Sequence, residues 1–171
     1  MNRKGFSLIE LLVVVAIIGI LAAVGIVAYS GYTTAAKKNA ILSQHKQLVK
    51  YATTEFQKCN LNFEYIFSTN SGQTSKCSVL SSGGGQGDPA TDIGTAQKYK
   101  FKNIYDPKDG AGKVKLAFAK AAGNETNCTA RDSGGDSGCH FIGWDSSKKI
   151  LKIFSYYDGP NSPEKSFINF D

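Results

Sequence analysis

From Leu11 to Ala28 the chain reads LLVVVAIIGILAAVGIVA, eighteen residues without a charged or strongly polar side chain. At about 1.5 Å per residue, a helix from Phe6 to Tyr29 would extend roughly 35 Å, enough to cross a hydrocarbon core. Everything after Tyr29 reads as a polar, soluble protein. A chain of 171 residues therefore holds one ordinary domain plus an apolar appendage, two halves suited to different solvents.

The residue that discriminates among readings of this segment is Glu10, in FSLIE at its mouth. A secretory signal has a basic start, an apolar run and a small-residue cleavage site after that run. MNRKG supplies the basic start, but a carboxylate opposes insertion and adds nothing to a signal or an ordinary anchor. An acidic group at a helix centre costs about 2.5 to 3.5 kcal/mol on insertion scales, and less near the interface. Such a group calls for a partner.

Charge and cysteine placement extend the two-solvent picture. The formal charge is +6, too modest to be a nucleic-acid signature by itself. No acidic residue lies between Glu10 and Glu55, whereas Lys37, Lys38, Lys46 and Lys50 do, and twelve of the fourteen Asp and Glu lie beyond Lys58. A basic stem and an acidic remainder could pair between copies. Cys59, Cys77, Cys128 and Cys139 all follow the apolar run, which favours an oxidising compartment. Of the three possible connectivities, the sequence-local one, Cys59 with Cys77 and Cys128 with Cys139, is preferred because its intervals suit loop staples. A zinc site is the rival, but paired CxxC knuckles are absent.

The stretch KGFSLIELLVVVAIIGILAAVG resembles the N-terminal signature of type IV pilins and the related pseudopilins of type II secretion. The resemblance implies that a membrane peptidase cuts after Gly5, on the cytoplasmic side, and that the same enzyme methylates the new amine of Phe6. It implies that Glu10 forms the assembly salt bridge, facing the terminal amine of a neighbouring subunit and turning two desolvation penalties into one charge-assisted pair. A misregistered subunit would then be penalised more than a correct one is rewarded. The likeness covers about the first thirty residues. It departs where many members have a proline near the end of the apolar run and this chain has Val27; Gly19 and Gly25 remain, as points of close helix packing or local melting.

Beyond the apolar run, Tyr32, Ala35, Ile41, Leu42, His45, Leu48, Val49, Ala52 and Phe56 continue at spacings of three and four. The helix should run on to about Lys58, with an amphipathic second half that needs a cover. Residues 59–96 read as a long surface loop rich in Ser, Gly and Asn. Alternation follows in KYKFKNIY, which could instead be a short helix, and more cleanly in KVKLAFAK; CHFIGW and ILKIFSYY flank DSSKK as a hairpin. The expected sheet is antiparallel with three or four strands, followed by a tail, DGPNSPEKSFINFD. If Cys128 meets Cys139, that bridge ties a glycine-rich loop and resembles the C-terminal disulfide loop of many pilins.

The fold class is thus α+β. The resemblance makes it a pilin-like ladle, with one long helix whose second half packs on a small sheet. The organisation is 1–5 leader, 6–29 membrane and assembly half-helix, 30–58 amphipathic half-helix, 59–96 loop, and 97–171 sheet with disulfide loop.

Other motifs carry less. GDSG at 135–138 is similar to a protease nucleophile loop, but His45 sits in a helical stripe as a packed or hydrogen-bonded residue and His140 sits beside a cysteine. No catalytic or metal pattern is present, and no cofactor is expected. Calcium, which some pseudopilins bind, would fall to Asp132, Asp136, Asp145 and Asp158, for which solvated turns are the better reading. Lys98, Lys100 and Lys102, interleaved with Tyr99 and Phe101, could touch DNA, against the favoured reading of an exposed strand face.

The resemblance implies a structural subunit of a type IV pilus, not an enzyme. It implies a precursor in the bacterial inner membrane with its head in the periplasm, in contact with lipid, and an extracellular pilus after assembly. The implied partners are further copies of the chain, the prepilin peptidase and methyltransferase, and an assembly platform with its ATPase. The rivals are a type II secretion pseudopilin and a membrane-anchored exported protein that never polymerises.

Overall fold

The computed structural model describes residues 5–67, 75–78, 89–97, 101, 103–105, 137–159 and 163–170. They fall into two compact units, Met1–Ala36 and Lys37–Asp171. One helix, α1 (Leu8–Asn60), contributes residues to both.

In the N-terminal unit α1 contains a stretch long and apolar enough to cross a membrane, none of it buried by the protein. Where α1 leaves the apolar run, its hydroxyls bond back to the helix. Ser30 Oγ donates to the Val27 carbonyl at 3.0 Å, and Thr33 and Thr34 donate to the Ser30 carbonyl at 2.9 and 3.0 Å. Side chains that could break a helix are thereby satisfied within it. A Cβ added at Gly19, Gly25 or Gly31 would meet nothing within 4 Å.

In the C-terminal unit α1 buries Ile41, His45, Leu48, Ala52, Glu55 and Phe56, the apolar stripe expected at spacings of three and four plus one carboxylate. The stripe is covered by a three-stranded antiparallel sheet in the order β3-β4-β5. Its strands are β3 (His140–Asp145), β4 (Ile150–Tyr156) and β5 (Pro163–Asn169). The register pairs Ile142 with Ile153 and Ile153 with Ser166, and Trp144 with Leu151 and Leu151 with Ile168. Alternation then sends Ile142, Trp144, Leu151, Ile153 and Ile168 to the core beside Leu48, Ala52 and Phe56. Fully burying one such side chain contributes about 2 kcal/mol, so this stripe holds helix to sheet.

The α+β class and the β3–β4 hairpin agree with the sequence reading. Two stretches differ from it. Within 59–96, read as irregular, β1 (Tyr65–Ile66) pairs with β2 (Ser75–Lys76), and α2 (Pro89–Gln97) packs against β3. Proline opens α2 at the position where its missing N–H costs nothing, and burial of Ala90 and Ile93 offsets the weak propensity of the Gly and Thr around them. The tail after β4 forms β5, an edge strand of this sheet. The lysine-rich alternation forms no strand over 101 and 103–105; its remaining residues and KVKLAFAK lie outside the described residues.

Glu55 was hidden in the amphipathic stripe. Its Oε2 accepts the Phe67 N–H at 2.8 Å, and its Oε1 accepts from Lys58 Nζ at 2.6 Å. Phe67 has φ of 56°, a strained conformation for an aromatic residue. The carboxylate and the packing of the Phe67 ring against Tyr51 and Phe56 hold it there. The Cys59–Cys77 disulfide pins the same loop to the end of α1, its ends separated by 18 positions in sequence. Closing a loop of that size stabilises by about 3 kcal/mol in the chain-entropy picture.

Candidate functional site

The described residue that carries the clearest unexplained chemistry is Glu10, and the local sequence positions it. The Ser7 carbonyl accepts from the Leu11 N–H at 3.3 Å, the first hydrogen bond of α1, which makes Ser7 the N-cap. The Ser7 N–H donates to Glu10 Oε2 at 2.8 Å, and the Glu10 N–H donates to Ser7 Oγ at 3.3 Å. This reciprocal pair is a capping box, formed because Ser and Glu stand three apart at the start of an apolar run. The sequence therefore carried a signal for Ser7 that a search for an intersubunit partner of Glu10 passes over.

The box changes what Glu10 can do. It turns the carboxylate back toward the start of the helix, beside Phe6, where the helix dipole favours negative charge. It occupies Oε2 and leaves Oε1 without a hydrogen-bond partner among the described residues. Phe6 is 90% exposed, and Gly5 has nothing within 4 Å of a built Cβ. The Gly5–Phe6 peptide bond thus sits in an exposed, non-helical stretch ahead of the cap. An amine created at Phe6 would lie one residue from the amide that Glu10 already holds.

Replacing Ser7 by alanine removes one half of the box. A lost cap of this kind costs about 1 kcal/mol, so amide exchange at Glu10 and Leu11 of the full chain in micelles should rise roughly fivefold, with Ser7→Thr near the parent. Unchanged exchange in Ser7→Ala would show the cap to be idle.

The other candidates separate as follows. Cys139 is disulfide-bonded and fully buried beside Phe154 and Tyr156; Cys128, its expected partner, lies outside the described residues, as do Asp132, Asp136, Lys98, Lys100 and Lys102. Asp145 Oδ1 accepts from Ser147 Oγ at 2.7 Å and from the Lys148 N–H at 3.2 Å. These two bonds hold its carboxyl below the usual range, and they make it the residue that closes the β3–β4 turn. Among the described residues no group of three metal-ligating side chains forms. Ser137 of GDSG accepts the Gly159 N–H at 2.9 Å, while both histidines are engaged elsewhere.

Two stem lysines are also occupied. Lys37 Nζ lies 5.2 Å from the centroid of the Tyr105 ring and Lys38 Nζ 4.5 Å from that of Tyr157, with Tyr105 Oη donating to the Tyr157 carbonyl at 2.6 Å. Cation–π contact with the chain's own head is what these charges do here.

Comparison with known proteins places these features in a wider set. A family described as the prokaryotic N-terminal methylation motif matches residues 1–26. The type IV major pilin protein PilE1 of Neisseria gonorrhoeae is 53% identical over 55 residues, 32% of this chain and 32% of that protein. A fimbrial protein of Neisseria meningitidis serogroup B is also 53% identical over 55 residues, 32% of this chain and 31% of its own length. The chain therefore spans about a third of the length of these relatives. The type IV major fimbrial protein FimA of Dichelobacter nodosus reaches further, 30% identical over 127 residues, 74% of this chain and 71% of the relative. No solved structure matches.

Proposed function

Because this chain belongs to the type IV pilin family, we propose that it is the structural subunit of a type IV pilus, made as a membrane precursor and polymerised through α1. Residues 1–5 are the leader, on the cytoplasmic side. The peptidase cuts between Gly5 and Phe6 and methylates the Phe6 amine. Before assembly the apolar half of α1 lies in the inner membrane with the head on the periplasmic side; afterwards the filament is extracellular. The processing enzyme, the membrane platform and its ATPase act on this chain, which performs no catalysis itself.

The observation that carries this reading is Glu10, a carboxylate held at the start of an apolar helix whose surface the protein leaves uncovered. In lipid that helix needs no cover, but an anion there does need a cation. A neighbouring Phe6 amine meets the need twice over, since each subunit brings one amine and one carboxylate. Oε1 is the atom left for it. Once helices pack side by side, Gly19 and Gly25 allow close approach.

The test is mass spectrometry of the N-terminal peptide from sheared surface material. The expected species begins at an N-methylated Phe6. Processed Phe6 confined to the cell envelope would favour a secretion pseudopilin, and an intact Met1 or a cut beyond Ala28 would overturn the filament reading.

A further inference from the structure

Five polar side chains meet inside the C-terminal unit, between α1 and the sheet. His45 Nδ1 lies 2.7 Å from Ser155 Oγ and His140 Nδ1 lies 2.6 Å from the same atom. His45 Nε2 lies 2.8 Å from Ser166 Oγ, and His140 Nε2 lies 2.9 Å from Gln44 Oε1. His45 is 3% exposed, and His140 and Ser155 are fully buried. Polar groups removed from water to this extent have to be satisfied by one another.

Counting protons fixes the arrangement. Gln44 Oε1 can only accept, so His140 Nε2 carries the hydrogen and its Nδ1 is the acceptor. Ser155 then donates to His140 Nδ1, and its oxygen accepts from His45 Nδ1–H. His45 Nε2 is left as an acceptor for the Ser166 hydroxyl. The result is one directed chain: Ser166 to His45 to Ser155 to His140 to Gln44. A single hydroxyl hydrogen between two Nδ1 atoms requires opposite tautomers on the two rings.

We propose that this chain is a pH-responsive latch between α1 and the sheet, closed while both imidazoles are neutral and opened at β5 when His45 takes a proton. The proton goes to His45 Nε2, the atom that accepted from Ser166. Ser166 Oγ must then turn its own hydrogen away and accept from Nε2–H instead, and an imidazolium charge is left in a site removed from water, so the strain falls on the seam between α1 and β5, which has one neighbour in the described sheet. A proton on His140 would instead aim two N–H groups at Ser155 Oγ in a fully buried site, so His45 is the ring that responds.

The titratable groups acting on His45 are Glu164 on β5 and His140 on β3; Gln44 on α1, Ser155 on β4 and Ser166 on β5 are neutral. Burial lowers the pKa of His45, and Glu164 opposes that effect. Burial first, and then the nearness of His45, push His140 down to about 3. The folded values lie below the unfolded value of 6.5, so the unfolded chain binds protons first as pH falls. The latch is therefore fully effective above about pH 6.5 and weakens below it.

The experiment uses the full chain in detergent micelles with 15N-labelled histidine. At pH 8 the imidazole shifts should show opposite tautomers, Nδ1–H on His45 and Nε2–H on His140. On acidification His45 should protonate first. Amide exchange at 164–169, corrected for its intrinsic pH dependence, should rise by up to about tenfold per pH unit between about pH 6.5 and the lower His45 midpoint of the folded chain, and level off below it. The same tautomer on both rings, earlier protonation of His140, or β5 exchange indifferent to pH would overturn the latch. His45→Gln should abolish the rise. Should that variant not fold, Ser166→Ala keeps both rings: its β5 exchange should be raised already at pH 8 and gain less than about twofold from pH 7 to 5, whereas a rise equal to the parent's would overturn the proposal.

Discussion

Replacing Glu10 by alanine is expected to abolish filament formation while leaving membrane insertion and the fold of the head intact. The argument rests on desolvation. A Phe6 amine carried into a packed bundle without a carboxylate is an unpaired buried charge, and removing one partner of a buried pair costs far more than the pair itself contributes. Docking should weaken by roughly a hundredfold or more at each addition, and polymerisation multiplies that loss along the filament. The capping box requires a second variant, because alanine removes both the charge and the cap. Glutamine can still close the box but cannot neutralise an amine. Glu10→Gln should therefore show normal amide protection at Ser7, residue 10 and Leu11 and still fail to assemble. Sheared-pilus yield measured against total membrane subunit decides the matter: normal filaments from Glu10→Gln would reduce Glu10 to a helix cap.

The second large effect is expected at Gly138. Its φ is +87°, and a Cβ built there falls 2.0 Å from Asn103 Oδ1 and 2.8 Å from its Cγ. Asn103 is buried and cannot swing aside freely, because Oδ1 accepts the Tyr105 N–H at 3.0 Å. Gly138→Ala thus combines left-handed backbone strain of about 1 to 2 kcal/mol with disturbance of a buried hydrogen bond worth a further 1 to 3 kcal/mol. Gly159 provides the internal control, since its φ is +73° but nothing lies within 4 Å of its Cβ. Gly159→Ala should lose only the backbone part. Thermal unfolding of the full chain in detergent, followed by circular dichroism, should rank parent, Gly159→Ala and Gly138→Ala in falling order. Equal midpoints for the two variants would show that Asn103 yields without cost.

These two residues differ in how far they could be read in advance. Glu10 stands out because nothing else in an apolar run is charged, and Ser7 was readable from spacing alone. Gly138 lies in GDSG, where the letters pointed toward a protease loop. Its requirement for glycine comes from Asn103, thirty-five positions earlier. Short-range pattern carries the first kind of information and no trace of the second.

The same division holds across the fold. The long helix, its uncovered apolar half and the stripe from Ile41 to Phe56 follow from periodicity, because a helix repeats every few residues and hydrophobic burial acts on that repeat. The β3–β4 hairpin follows from alternation around a polar turn. Helix α2 and strand β5 do not, since neither has the propensity to stand alone; Ala90, Ile93 and Ile168 become structural only when the core offers them a surface. Glu55, His45, Ser155, His140 and Ser166 are ordinary polar letters 10 to 121 positions apart. What the sequence by itself determined is an apolar helix that needs lipid or its own kind, with a carboxylate at its mouth that needs a cation. Which polar groups would be buried together in the head, and hence which must share a single hydrogen, was decided only when tertiary packing drew them out of water and set them beside one another.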